Sequence, residues 1–250
     1  MRVTGGRAVY GLGLGILILD TRFPRVRGDA GHAGTWPFPV AYRTVRGARP
    51  ELLARAEPEP GLLDAFIEGI QELERDGVPA VITTCGFLAI YQAELAAAVS
   101  VPVFASSLLQ VPLAARCIRP DQRVGILTAR PVLTERHFRG VGWSADEIPV
   151  VQVAPPESSE FVRTYVGDRP NVDTDDLERE IADLTESLVR QYPDVGAIVL
   201  ECANLSPFRG LVGRISGLPV FDFYTLGMQA QLACADPRPE LSTSRVDIYS

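Results

Sequence analysis

Two stretches of this chain repeat each other without a gap at an offset of 117 residues, and that duplication limits the fold more than any other feature. Val78-Pro-Ala-Val-Ile-Thr-Thr-Cys85 matches Val195-Gly-Ala-Ile-Val-Leu-Glu-Cys202. At the same offset Leu88 matches Leu205, Tyr91 matches Phe208, and Val101-Pro-Val-Phe104 matches Leu218-Pro-Val-Phe221. Each copy reads as a β-branched strand, a cysteine where the strand stops, a helix, and a second short strand. Any two strand–helix–strand units look broadly alike, but that alone explains cysteines at both strand ends poorly. The duplication predicts two related lobes.

The rest of the chain alternates in the same way. Val9–Asp20 and Pro37–Val45 read as strands. Pro60 and Gly61 open a helix through Arg75, with Leu62, Leu63, Phe66, Ile70 and Leu73 on one side. An alanine-rich helix is expected up to Val99, and another from Ser107 to Cys117. Arg123–Thr128 and Ile148–Val153 read as strands, with a helix near Pro131–Arg139 between them. Asp173 or Thr174 caps a helix to Gln191, whose apolar stripe is Leu177, Ile181, Leu184 and Leu188. A terminal helix is expected near Leu226–Ala235, then a loose polar tail from Pro237. This alternation predicts an α/β fold with parallel sheets wrapped by helices.

Composition removes several function classes. A net charge of −7 argues against a surface that tracks nucleic-acid phosphates. No apolar run approaches the roughly 18–20 residues of a membrane span, and no cleavage site follows an apolar leader. Four cysteines and two histidines lack zinc-ligand spacing, so no metal is expected, and reduced thiols suit the cytoplasm. All 24 basic residues are arginine. Without lysine there is neither a pyridoxal Schiff base nor a Walker P-loop. No cofactor is expected.

In a parallel sheet, ligands bind beyond the carboxyl ends of the strands, where Cys85 and Cys202 stand. The start of a helix there favours a thiolate and an anion. Two lobes face to face place one thiol on each side of a cleft, about 7–9 Å apart, with room for one tetrahedral carbon. One thiolate removes a proton next to a carboxylate and the opposite thiol returns one to the other face. Cys117 and Cys234 fall in predicted helix interiors and read as small buried hydrophobes.

Ile82-Thr-Thr-Cys-Gly-Phe-Leu88 and Val199-Leu-Glu-Cys-Ala-Asn-Leu-Ser-Pro207 resemble the two cysteine signatures of the aspartate/glutamate/hydantoin racemase superfamily. The resemblance covers roughly residues 60–230. It implies two pseudo-symmetric Rossmann-like lobes, with residues 1–117 and 224–250 in the first and 118–223 in the second. It further implies an interlobe active site, no cofactor, and a small carboxylate or amino-acid-like substrate. Cys85 and Cys202 match the acid/base cysteines. Thr84, Gly86, Phe87, Ala203 and Asn204 match substrate-binding positions. Asp20 matches an acidic residue at the end of the first strand, and Thr128 faces the cleft by the same logic. Two departures put glutamate itself in doubt: Cys-Ala-Asn replaces Cys-Thr-His, and Cys-Gly-Phe replaces Cys-Asn-Thr.

Other features carry two readings each. Gly11-Leu-Gly-Leu-Gly15 lies inside an apolar strand, where a dinucleotide fingerprint does not belong. The segment Arg22–Pro39 is either a lid whose arginine meets a substrate carboxylate, or a solvated loop or dimer contact. Glu201 either tunes the proton of the neighbouring Cys202 or, as strand alternation has it, points away from that cysteine. Ser106 and Ser107 lie near the cleft or cap the next helix. Racemisation of an amino acid or hydantoin leads the functional readings, followed by maleate-type cis–trans isomerisation and a silent anion-binding protein. A retained thiol pair counts against arylmalonate-type decarboxylation, which uses one cysteine. The oligomeric state, a homo-oligomer included, stays open.

Overall fold

The computed structural model describes residues 6–59 and 61–235. Pro60 and the tail from Pro237 lie outside them. Two four-stranded parallel sheets carry the chain. The first holds β1 (Leu14–Leu19), β2 (Val40–Val45), β3 (Val81–Thr83) and β4 (Val103–Phe104), in the order β2-β1-β3-β4. The second holds β5 (Arg123–Leu127), β6 (Val150–Val153), β7 (Val195–Leu200) and β8 (Val220–Phe221), in the order β6-β5-β7-β8. The two orders are equivalent strand for strand. Register follows the duplication too, since Val81 pairs with Val103 and Ile198 with Val220. In both sheets the connection reverses direction beside the first strand, which opens a crevice at the strand ends.

Eight helices cover the sheets among the described residues: α1 (Pro50–Leu53), α2 (Leu62–Asp76), α3 (Gln92–Ala97), α4 (Val111–Arg116), α5 (Glu135–Gly140), α6 (Thr174–Gln191), α7 (Arg209–Ser216) and α8 (Phe223–Cys234). Every residue of β7 is buried, as in a strand covered on both faces. Asp173 caps α6 by accepting from the Asp175 N–H, and Leu177, Ile181 and Leu188 are buried as their spacing requires. The long helix α2 buries Phe66, Ile70 and Leu73, while Leu62 and Leu63 pack at its margin. None of these helices is long and apolar enough to cross a membrane.

Three local features differ from expectation. Strand β1 starts at Leu14, because Gly11 takes φ 79° and leaves Val9 and Tyr10 exposed. After each site cysteine the chain first makes a tight 3₁₀ turn, Gly86–Tyr91 and Ala203–Phe208, and only then α3 and α7. Gly86 through Ile90 are all buried, whereas a surface α-helix would bury one stripe. Cys117 is exposed just past α4, and Cys234, the last residue of α8, is half-buried, so neither is a core residue.

The return of α8 matters for the site. It lies against β1, and its Gly227 leaves no room for a Cβ beside the Trp36 ring. Trp36 also stacks on Tyr224 and donates from Nε1 to the Ala30 carbonyl at 3.0 Å. These contacts pin the segment 22–39 to the body of the protein. The packing of α2 gives a direct test: Phe66→Ala removes a fully buried ring and should cost about 3–5 kcal/mol in a urea titration, with the far-UV spectrum kept.

Candidate active site

One narrow cavity of about 30 Å³, room for little more than a water or two, is lined by both Cys85 and Cys202. Cys85 follows β3 and Cys202 follows β7, so the equivalent ends of the two sheets supply one sulfur each. Thr84, Gly86, Phe87 and Asn204 join them on its wall. The other three expected residues do not line it. Asp20 is exposed and accepts from the Gly47 N–H at 2.9 Å, because β1 ends at Leu19 and the next residue caps the turn after β2. Ala203 is buried in the cluster around Trp36 and Leu226. Thr128 is buried behind the wall, where its Oγ1 donates to Glu201 Oε2 at 2.7 Å.

Glu201 corrects the alternation argument. Strand β7 ends at Leu200, so face alternation loses its force at the next residue, and the Glu201 side chain lines the cavity beside both thiols. The carboxyl is fully buried. Burial pushes it up to about 7, against the opposing hydrogen bonds from Thr128 and the Ala129 N–H. Its Oε1 has no hydrogen-bond partner. It lies against the backbone at Gly86, where a Cβ would overlap the carboxyl.

The thiols answer to the same environment. Burial, then Glu201, pushes Cys85 up to about 12, while the N–H groups of Phe87 and Leu88 favour its thiolate. Burial and Glu201 also hold Cys202 well above its ordinary value, and Cys85 adds to that rise.

The segment 22–39 is a packed strap over this cavity. Cys202 Sγ donates to Asn204 Oδ1 at 3.5 Å, and Asn204 Nδ2 donates to Asp29 Oδ2 at 2.7 Å. A carboxylate only accepts, so Asp29 fixes the amide with its oxygen toward the sulfur. Arg25, which also lines the cavity, donates to the other Asp29 oxygen at 2.7 Å and lies 4.7 Å from the Phe23 ring centroid. At its start the strap is clamped by Asp168, which accepts from the Arg22 N–H at 2.6 Å and the Phe23 N–H at 3.2 Å. Asp168 has φ 53°, a left-handed conformation that aspartate tolerates better than most side chains. It follows a π-helical segment, Val162–Val166, which brings Tyr165 to the cavity wall. Asp29 and Tyr165 went unread in the sequence because long-range packing alone brings them here. Among the described residues, no cluster of three or more His, Cys, Asp or Glu side chains is placed to hold a metal.

The fold and the paired cysteine turns define an α/β chain of two equivalent parallel sheets with both thiols on one cavity wall. The family model of Asp/Glu/Hydantoin racemases matches residues 44–230, and the chain belongs to that family. It is 31% identical over 220 residues to dimethylsulfoniopropionate lyase 3 of Emiliania huxleyi (strain CCMP1516), a match covering 85% of this chain and 57% of that protein. It is 30% identical over 216 residues to a dimethylsulfoniopropionate lyase of Durusdinium sp. clade D, covering 84% and 70%. The chain thus spans little more than half the length of the Emiliania relative. Among solved structures it is similar to a cysteine-substituted arylmalonate decarboxylase in a sulfate-associated form, with TM-score 0.60 and 16% identity over 88% of this chain and 92% of that one. It is likewise similar to a glutamate racemase of Bacillus anthracis, with TM-score 0.56 and 15% identity over 90% and 81%. At such identities the structures speak for the fold alone. Elimination of a sulfur leaving group from the β carbon was not among the activities read from the sequence.

The burial of Glu201 predicts a stability signature. Its folded value lies above its ordinary one of 4.5, so folding favours the protonated acid. That contribution is complete below about 4.5 and is lost as pH climbs through about 7. Glu201→Gln should therefore be more stable than the native chain at pH 8, and the gap should close toward pH 4, as read by urea midpoints at both values.

Proposed function

We propose that this chain uses a thiolate of the Cys85/Cys202 pair to remove the proton α to a carboxylate, with loss of a sulfonium leaving group from the β carbon. The substrate is dimethylsulfoniopropionate or a close analogue. The sulfur takes the C2 proton, the C2–H electrons form the C2=C3 bond, and the C3–S electrons leave with dimethyl sulfide. The products are acrylate, dimethyl sulfide and one proton. The observation that carries this reading is the 30–31% identity to dimethylsulfoniopropionate lyases across both cysteine motifs.

The cavity wall suits such a substrate. Phe87 and Tyr165 on the wall supply aromatic rings for a sulfonium cation, as such rings do for other onium ions. The Glu201 carboxyl adds negative charge when ionised. Arg25 supplies the cationic group for the carboxylate end, through N–H groups not turned to Asp29. Thr84 Oγ1, buried and without a partner, and the Asn204 amide are further polar contacts for it. The cavity is too small for this molecule as it stands, so the strap or the segment 162–166 moves aside on entry.

Racemisation is the second reading, favoured by the retained thiol pair. Elimination needs a base on one face, whereas inversion needs a donor and an acceptor on opposite faces. Proton NMR in deuterated water separates them. The native chain should convert dimethylsulfoniopropionate to acrylate. At least one of Cys85→Ser and Cys202→Ser should lose about 10²-fold or more in rate, while Cys117→Ser keeps it. Inversion and α-exchange of amino acids with no acrylate formed would favour the racemase. Full elimination by both serine variants would overturn the thiol base.

A further inference from the structure

Glu201 belongs to the second cysteine motif by sequence, yet its carboxyl packs on the backbone of the first. It is fully buried, one oxygen is held by Thr128, and the other has no partner on a wall it shares with both sulfurs. A buried carboxylate with a bare oxygen is costly unless that oxygen has a task. The thiols pose the complementary problem. Burial first, and then the neighbouring Glu201 carboxylate, hold both sulfurs protonated, since a thiolate formed by loss of its proton to solvent would stand beside a second anion.

We propose that Glu201 is the resident proton acceptor of the thiol pair, its bare oxygen taking the S–H proton of the reacting cysteine across the cavity they share. The exchange S–H plus carboxylate to thiolate plus carboxylic acid moves one proton and leaves the net charge of the site unchanged. The thiolate then takes the substrate's α proton and becomes a thiol again. Glu201 releases its proton to solvent when the product leaves, which restores the starting state and accounts for the proton of the overall reaction. This assignment rests on the carbon-acid reading above, though not on which carboxylate is the substrate.

The groups that face the carboxyl fit the task. Thr128 donates to one oxygen and the Ala129 N–H also favours the ionised form. Arg25 is on the same wall but is engaged by Asp29, so it does not lock Glu201 as a permanent ion pair. Tyr165 is kept protonated by burial and by Asp29 and Cys202, so it does not compete as a base. Burial raises the carboxyl above its ordinary value, which narrows the gap to the thiol from which it must accept.

Two readouts test this with the full chain, each in a background carrying Cys117→Ser and Cys234→Ser. The first needs no substrate: the rate at which methyl methanethiosulfonate modifies Cys85 and Cys202, followed by mass spectrometry from pH 5 to 10. The native chain should show a rise near pH 7 that follows Glu201, then a plateau. Glu201→Gln should lose that rise and react only at alkaline pH. Thr128→Val, which removes a hydrogen bond to the ionised form, should move the rise to higher pH. The second readout is turnover of dimethylsulfoniopropionate, where Glu201→Gln should lose about 10²-fold or more near pH 7 and recover part of it at alkaline pH. An unchanged modification profile in Glu201→Gln overturns the proposal, and so does a native acidic limb in Thr128→Val. A Glu201-dependent modification profile without any acrylate formed keeps the proposal and rejects the lyase reading instead.

Discussion

The site depends on one close approach, the Glu201 carboxyl lying against the backbone at Gly86. Any side chain at position 86 would collide with it, so the end of β3 and the end of β7 meet only because that residue is glycine. Other contacts hold the same junction. Ser107 Oγ donates to the Leu200 carbonyl at 2.7 Å, and Gln110 Nε2 donates to the Asp222 carbonyl at 2.9 Å. Each closes a link between residues more than ninety positions apart in the chain. From this junction follow the shared cavity and the rise of Cys85, Glu201 and Cys202 above their ordinary values, driven by burial in each case and for the thiols also by Glu201.

Legibility in the sequence tracks how local the cause is. The 117-residue duplication was readable because backbone pattern and strand-end cysteines are written side by side, and the structure repeats it down to the pairing of Val81 with Val103 and Ile198 with Val220. The long amphipathic helix α6 was readable to its cap for the same reason. Asp20 stands off the cavity wall because a family position at a strand end says nothing about a turn elsewhere, and here the side chain accepts from Gly47. Glu201 was turned the wrong way because alternation was applied one residue past the last residue of the strand. Asp29 stood within a segment recognised as either lid or loop. Its tie to Asn204, 175 residues along the chain, carries no local signal.

The strap and the two cysteine turns divide the chemistry. The turns bring sulfur and carboxyl together. The strap sets the orientation of Asn204 through Asp29 and brings Arg25 and Phe23 to the wall. In such an enclosure a proton passes between neighbours more readily than it escapes, because each added net charge is poorly solvated. Elimination and stereoinversion make the same first demand on such an arrangement, since both begin with removal of a proton next to a carboxylate. What separates them is the leaving group at the β carbon and the use made of the second thiol.

The central claim is that Cys85 and Cys202 open onto a single small cavity. Alkylation with excess iodoacetamide, in a chain carrying Cys117→Ser and Cys234→Ser and followed by intact mass and peptide mapping, tests it most directly. The account predicts that incorporation stops at one label per chain, found on Cys85 in some molecules and on Cys202 in others, because the first label fills the space the second needs. Two labels on one native chain would contradict it.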